Sequence, residues 1–353
     1  MDFTHFTAGK DDSDRRLDRV LRNFLSEEHL SSIYKSLRKG LIKVNGKKCE
    51  GNFRISEGDD IQIADFLLGN GNISSMPQKQ AQPEVSAQSS LEAITVFKNE
   101  SILILNKPYD IPVQPSSSSK GSSLAEAVQK EYELTHQKTS LSFKTGPLHR
   151  LDRKTTGLIA FSQNLEGAKW FSEKIKTHEI QKIYLAILEG NLTESQVWEE
   201  YIEKSEAGLS ENFHTVEVNS SQEGKFAHTE VEPVSHGVFQ GKPVTLARIL
   251  IKTGRTHQIR SQSAFHGFPL LGDTAYGGTK IDSKRFGQDF FLHAAELYFP
   301  KDNPLGLPEK IITEFPKSFT QIIGGIAGNS PLEGVAEIPE RRESDQACLG
   351  IFA

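Results

Sequence analysis

The chain has 353 residues, more than one ordinary domain needs, and its 36% hydrophobic, 25% charged and 8% aromatic residues exclude global disorder and supply a sizeable core. No apolar run approaches the roughly eighteen residues of a membrane helix, and the N-terminal MDFTHFTAGKDDSDRR has no signal-like apolar stretch, so a cytoplasmic protein is expected. Two distant cysteines, Cys49 and Cys348, exclude a disulfide framework and a cysteine-based metal site, and the net charge of -5 hides a strongly basic segment near the N-terminus.

From Ser13 to Arg54 there are eleven Lys and Arg against five Asp and Glu, a local charge of +6. A solvated basic face and a nucleic-acid surface both fit that excess. Within it, Leu17, Val20, Leu21, Phe24 and Leu25 recur at helical spacing with Arg15, Arg16, Arg19 and Arg22 between them. A second helix is predicted over about 31–39, stopped by Gly40. Leu41, Ile42 and Val44 read as a strand closed by the tight turn Asn45-Gly46, and Ile61 and Ile63 alternate after the turn Glu57-Gly58-Asp59.

Residues 67–92 are rich in Gly, Asn, Ser, Gln and Pro without periodicity and read as a flexible linker. Beyond it, 94–97 and 102–105 predict a hairpin, and Ser123 with Glu126 predicts a capped helix. A strand over 158–162, a helix over about 165–177, a strand over 180–188, another over 244–252 and a helix over about 256–266 follow. Without regular strand-helix alternation the expectation is an α+β chain: a small α/β module at 14–66, the linker at 67–92, a mixed or antiparallel-sheet domain at 93–325 and a loose tail at 326–353.

Polar groups concentrate in Gly146-Pro147-Leu148-His149-Arg150-Leu151-Asp152-Arg153-Lys154-Thr155-Thr156-Gly157-Leu158. A carboxylate flanked by Arg150, Arg153 and Lys154 is held ionised by its neighbours and can attack an electrophilic carbon, which makes Asp152 a candidate nucleophile. An aspartate that only caps the next element is the competing reading. In Thr253-Gly254-Arg255-Thr256-His257-Gln258-Ile259-Arg260 a strand meets a helix start, a place that favours anions, with structural ion pairing as the alternative. Lys182, Tyr184 and Ala186 share one strand face, where Tyr184 either fills core or stacks on a base.

Residues 14–66 resemble the S4 RNA-binding domain, through Arg16-Leu17-Asp18-Arg19-Val20-Leu21, Lys35-Ser36-Leu37-Arg38-Lys39-Gly40, Val44-Asn45-Gly46-Lys47 and Glu57-Gly58-Asp59. The resemblance implies phosphate contacts from Arg38, Lys39, Lys43 and Lys47 to structured RNA, read by shape more than by sequence. Residues 93–325 resemble the RluA family of pseudouridine synthases. The motifs are His149-Arg150-Leu151-Asp152 with Thr155-Thr156-Gly157-Leu158, Asn106-Lys107-Pro108, Lys182-Ile183-Tyr184, Gly254 to Arg260, and Gly272-Asp273-Thr274-Ala275-Tyr276-Gly277.

That resemblance implies an enzyme that isomerises uridine to pseudouridine in structured RNA, with large-subunit ribosomal RNA or its assembly intermediate as partner, working as a monomer. Asp152 takes the place of the family's essential aspartate, Tyr184 of the tyrosine that stacks on the base, and Arg260 of the arginine that pairs with the aspartate, with Arg255 as the second choice. Arg150 would enter the RNA stack, and Arg255 joins it as an RNA contact. Lys107 and His149 are expected to be structural. The reaction neither adds nor removes atoms, which agrees with the lack of any P-loop, dinucleotide-binding or metal-ligand signature, so no cofactor is expected. The alternatives are a noncatalytic RNA-binding or ribosome-assembly factor and a synthase acting on transfer RNA; a glycosidase is disfavoured because only Asp152 stands out where two carboxylates are needed.

Overall fold

The computed structural model describes residues 1–25, 29–68, 91–115, 123–135, 140–204, 216–219 and 224–326. They form an α+β protein of two compact units, Met1–Ala87 with Gln129–Thr145 and Asn164–Glu166, and Gln88–Val128 with Gly146–Gln163 and Gly167–Ala353. Positions 69–90 of the expected linker and 327–353 of the expected tail lie outside the described residues. Leu91, read as linker, is buried in a core cluster, and residues 91–94 form a helical turn that spans the expected end of the linker and the first expected strand residue, Ile94.

In the smaller unit, β1 (Phe3–Thr7), α1 (Leu17–Phe24), α2 (Leu30–Lys39), β2 (Ile42–Val44), β3 (Lys47–Lys48) and β4 (Asp60–Ala64) build a four-stranded antiparallel sheet in the order β1-β4-β2-β3. Leu17, Val20 and Leu21 are buried while Arg19 and Arg22 are exposed, as the helical spacing requires. Gly40 caps α2 at φ 72°, its N–H donating to the carbonyls of Ser36 and Leu37. Asn45 and Gly46, both at positive φ, close the β2–β3 turn. The sequence reading missed β1, whose strand partner β4 lies more than fifty residues away. Within the same unit the fully buried Asp12 carboxylate accepts from the backbone N–H groups of Leu141 and Ser142 and from the hydroxyls of Ser140 and Ser142, which offsets its loss of water.

The larger unit holds β5 (Thr95–Lys98), β6 (Ile102–Lys107), β7 (Thr156–Ser162), β8 (Gln181–Glu189), β9 (Gln196–Lys204), β10 (Val216–Asn219), β11 (Lys225–Phe239), β12 (Lys242–Ile251), β13 (Leu292–Tyr298) and β14 (Lys310–Ile312). They form a ten-stranded sheet in the order β10-β9-β11-β12-β8-β13-β7-β6-β5, with β14 on β13. Every pairing is antiparallel except β7 with β13, which makes the sheet mixed. The remaining helices are α3 (Leu124–Thr135), α4 (Leu165–Lys176), α5 (Gln258–Phe265), α6 (Ser283–Phe286) and α7 (Lys317–Ile326). At the start of α3 the Glu126 carboxylate accepts from the Ser123 N–H while the Ser123 hydroxyl accepts from the Glu126 N–H, the capping box read from the sequence.

Central strands are apolar on both faces because both faces are covered. Leu103, Leu105, Ile159 and Phe161 join one core cluster, and Ile102, Ile104, Leu158 and Ala160 join another together with Phe171 of α4. The polar strands β9, β10 and β11 escaped the sequence reading. β11 alternates over its length, with Ala227, Thr229 and Val231 buried and the inward positions after them only half-buried, and it carries Pro233 at a register break opposite β12, where the missing N–H is tolerated. Among the described residues no helix is long and apolar enough to cross a membrane.

Candidate active site

Asp152 lies on the loop that leads into β7, its carbonyl accepting from the Thr155 N–H to close a turn. Two features hold this loop. Lys107, fully buried at the end of β6, donates to the carbonyls of Pro108, Ile111 and Arg153 at 2.9, 2.9 and 2.8 Å. Three carbonyls match the three N–H groups of an ammonium, so the structural part expected of Lys107 has a geometry, although burial pulls its pKa down to about 7. Gly157 sits at φ 106° where β7 meets β13; a β-carbon there would strike the carbonyl oxygen and amide nitrogen of Ala294. The Thr-Thr-Gly-Leu motif is therefore a close backbone approach.

Two of the three cations expected around Asp152 from sequence adjacency pair with other carboxylates. Arg153 pairs with Asp110 at 2.9 Å and Lys154 with Asp289, while Arg150 is exposed and lines the cleft. The groups that do approach come from α5 and its entry: Arg260 Nη1 and His257 Nε2 each lie 3.9 Å from Asp152 Oδ2. These separations are electrostatic contacts longer than hydrogen bonds. Adjacent residues on an irregular loop point apart, whereas sheet order brings distant segments together.

Arg260 is anchored on its other side. Its Nε and Nη2 donate to the buried Asp273 at 2.7 and 2.9 Å, and its guanidinium lies over the rings of Tyr276 and Phe290 at 4.9 and 4.7 Å. Burial opposes the charge, yet the Asp273 hydrogen bonds and the two neighbouring carboxylates hold the arginine pKa above its ordinary value. Asp273 escaped the sequence reading as a site residue although it stood in a noted motif; only the fold shows that Arg260 shares its donors between two aspartates. His257 adopts a left-handed backbone at φ 50°, hydrogen-bonds Tyr276 Oη through Nδ1 at 2.8 Å, and has its pKa lowered chiefly by burial.

The loop before α5 is shaped by one glutamine. Gln258 Oε1 accepts from the Thr253 hydroxyl and the Arg255 N–H, and its Nε2 donates to the His228 carbonyl and the Thr229 hydroxyl. This turn occupies 253–257, which is why α5 starts two residues later than its periodicity suggested. Arg255 lines the cleft with its Nε committed to the Phe226 carbonyl at 2.7 Å, so of the two candidates Arg260 is the one beside Asp152.

A cleft of about 370 Å³ opens over Asp152, bounded by Tyr184, Lys182, Arg150, Arg255 and Leu292. Tyr184 is buried on β8, and burial together with the Asp152 charge raises its phenol pKa. His149 also borders the cleft, but its Nε2 accepts from the Ala160 N–H at 3.1 Å, its ring stacks on Phe171, and burial pushes its pKa down to about 3. It is a neutral framework residue. An aspartate, an arginine and a tyrosine thus line one partly enclosed cleft. On the smaller unit, Arg38, Lys39 and Lys47 are exposed, at the end of α2 and on the β2–β3 hairpin, and Lys43 lies with its ammonium 4.6 Å from the Phe3 ring centre.

The sequence profile of the RNA pseudouridylate synthase family matches residues 101–265, which contain Asp152, Tyr184 and Arg260. A ribosomal large subunit pseudouridine synthase C from Escherichia coli O6:H1 is 29% identical over 297 residues, 82% of this chain and 86% of the relative. Its counterpart from Vibrio vulnificus is 26% identical over 293 residues, with the same coverage of both chains. Among solved structures, human RNA pseudouridylate synthase domain containing 4 superposes with a TM-score of 0.52 at 20% identity over 68% of this chain and 95% of its own. Human RNA pseudouridylate synthase domain containing 1 gives 0.50 at 24% identity over 63% and 83%, so the fold is shared. The chain is thus similar to the RNA pseudouridylate synthases over residues 101–265 and to ribosomal large subunit pseudouridine synthases C over 82% of its length, and it shares the fold of solved pseudouridylate synthases.

Proposed function

We propose that the chain converts specific uridines of large-subunit ribosomal RNA to pseudouridine, with Asp152 as nucleophile, Tyr184 stacking on a base drawn out of the RNA, and Arg260 holding the carboxylate. The observation that carries this reading is the approach of Arg260 to Asp152 at the floor of the cleft, with Tyr184 in its wall. The N1–C1′ bond breaks, the uracil turns while enclosed, C5 bonds to C1′, the proton on C5 leaves to water and N1 takes one up. Atoms balance without a co-reactant. A target inside a stack cannot reach a half-buried carboxylate set in a cleft, so the base must be extruded, and the cleft walls limit the water around the detached ring. The 3.9 Å contacts leave room for tightening once RNA fills the cleft.

Arg150 and Arg255, at the cleft margin, contact the RNA backbone or fill its stack. Residues 14–66 act as an S4-like RNA-binding domain through Arg38, Lys39, Lys43 and Lys47, joined by a linker at 67–92 to a catalytic domain at 93–325. The enzyme works in the cytoplasm as a monomer. The choice of large-subunit RNA rests on the relatives named for it. The test is tritium release from large-subunit RNA carrying 5-tritiated uridine. Asp152→Asn, nearly isosteric, should abolish release while RNA affinity stays within about threefold. Multiple turnover by a clean Asp152→Asn preparation would sink the assignment.

A further inference from the structure

Lys182 differs from the other two buried cations of the larger unit, Lys107 and Arg260, which three carbonyls and Asp273 hold. Arg260 is paired with Asp273, Lys154 with Asp289, Arg153 with Asp110 and Lys252 with Glu230. Lys182 borders the cleft, is only 8% exposed, and among the described residues forms no ion pair. Its ammonium faces the turn before α5: a β-carbon built on Gly254 would lie 3.7 Å from Nζ, close enough for contact and without a clash. Burial alone moves its pKa, down to about 8, and no carboxylate offsets that shift. A buried, unpaired ammonium is costly, and a protein that keeps one in a binding cleft leaves the counter-charge to its ligand.

Accepting the synthase reading on which it rests, we propose that Lys182 receives the phosphodiester flanking the extruded uridine, forming an anion subsite of the cleft distinct from the Asp152 centre. Two observations favour a phosphate over negative charge on the detached uracil. Lys182 and Tyr184 share one face of β8 and lie about 7 Å apart along it, the order of separation between a nucleotide's base and its backbone phosphate. Asp152, next to which the uracil must sit, lies within ion-pair distance of Arg260 and His257 but not of Lys182. The subsite then works as a ruler: the base is placed by Tyr184 and the backbone by Lys182.

The probe is deproteinised large-subunit ribosomal RNA, with affinity measured against salt and pseudouridine formation measured in single turnover with enzyme in excess. Lys182→Met should weaken affinity about tenfold and reduce the salt slope by about 0.7 to 0.9, the loss of one phosphate contact. The single-turnover rate at saturating enzyme should fall less than threefold, and Lys182→Arg should restore most of the affinity and the slope. Unchanged affinity and slope in a Met variant that melts like the parent would overturn the subsite. So would a fall in rate alone, which would put the charge on the uracil. If the parent binds this RNA but forms no pseudouridine in it, the substrate reading fails, and the affinity arm still judges Lys182.

Discussion

Asp273 shows how a residue outside the cleft lining can position one that belongs to it. It is 2% exposed and takes two of the Arg260 donors, which leaves Nη1 to face Asp152. Removing one partner of a buried pair costs roughly 3 kcal/mol because the other charge is left without compensation. In Asp273→Asn the amide retains one acceptor, and Arg260 swings toward Asp152. We expect a single-turnover rate lowered by about ten- to a hundredfold, with RNA affinity and its salt slope unchanged. Loss of affinity with an intact rate would mean that Arg260 serves the RNA backbone instead.

At the scale of elements, the site depends on two unusual pieces of backbone. One is α5, a helix whose residues 258–263 are all buried although five of the six are polar. Gln262 explains how: its Oε1 accepts from the Thr229 hydroxyl and its Nε2 donates to Glu200 and to the Trp198 carbonyl, so side chains from β9 and β11 satisfy the helix that carries Arg260. The other is the parallel contact of β7 with β13 at Gly157. Gly157→Ala combines a positive φ with a collision against Ala294 backbone and should cost about 2 to 4 kcal/mol. The control is Gly146→Ala, where nothing lies within 4 Å of the new β-carbon. Denaturant unfolding of both variants reads the difference; equal midpoints would show that β7 can move away from β13 without loss.

For the molecule as a whole, a net charge of -5 coexists with a +6 segment from Ser13 to Arg54. If Arg38, Lys39, Lys43 and Lys47 neutralise phosphates, replacing all four with Gln should flatten the salt dependence of RNA binding by about three to four units. Turnover at saturating RNA should persist while the half-saturating concentration rises, because the lost contacts are made equally in the ground and transition states. An unaltered slope in a folded quadruple variant would leave the basic face without an RNA role.

What the sequence determined by itself is the set of local devices and the residue types of the site. The helical spacing of Leu17, Val20 and Leu21, the Gly40 cap, the Asn45-Gly46 turn, the Ser123–Glu126 box and the apolar strands at 102–105 and 158–162 all depend on neighbours within a few positions. Asp152, Tyr184 and Arg260, which the fold brings to one cleft, could be singled out because they stand in dense motifs. Only the tertiary structure decided who meets whom. Arg153 and Lys154 turn to Asp110 and Asp289, Arg260 divides itself between Asp152 and Asp273, and Lys107 spends its N–H groups on three carbonyls. β9 and β11 stayed illegible because their half-exposed faces carry polar residues that mask the period of two, and their pairing partners are set by sheet order. Side-chain partnership depends on the order of strands, and strand order depends on contacts between segments a hundred residues apart, which no local window contains.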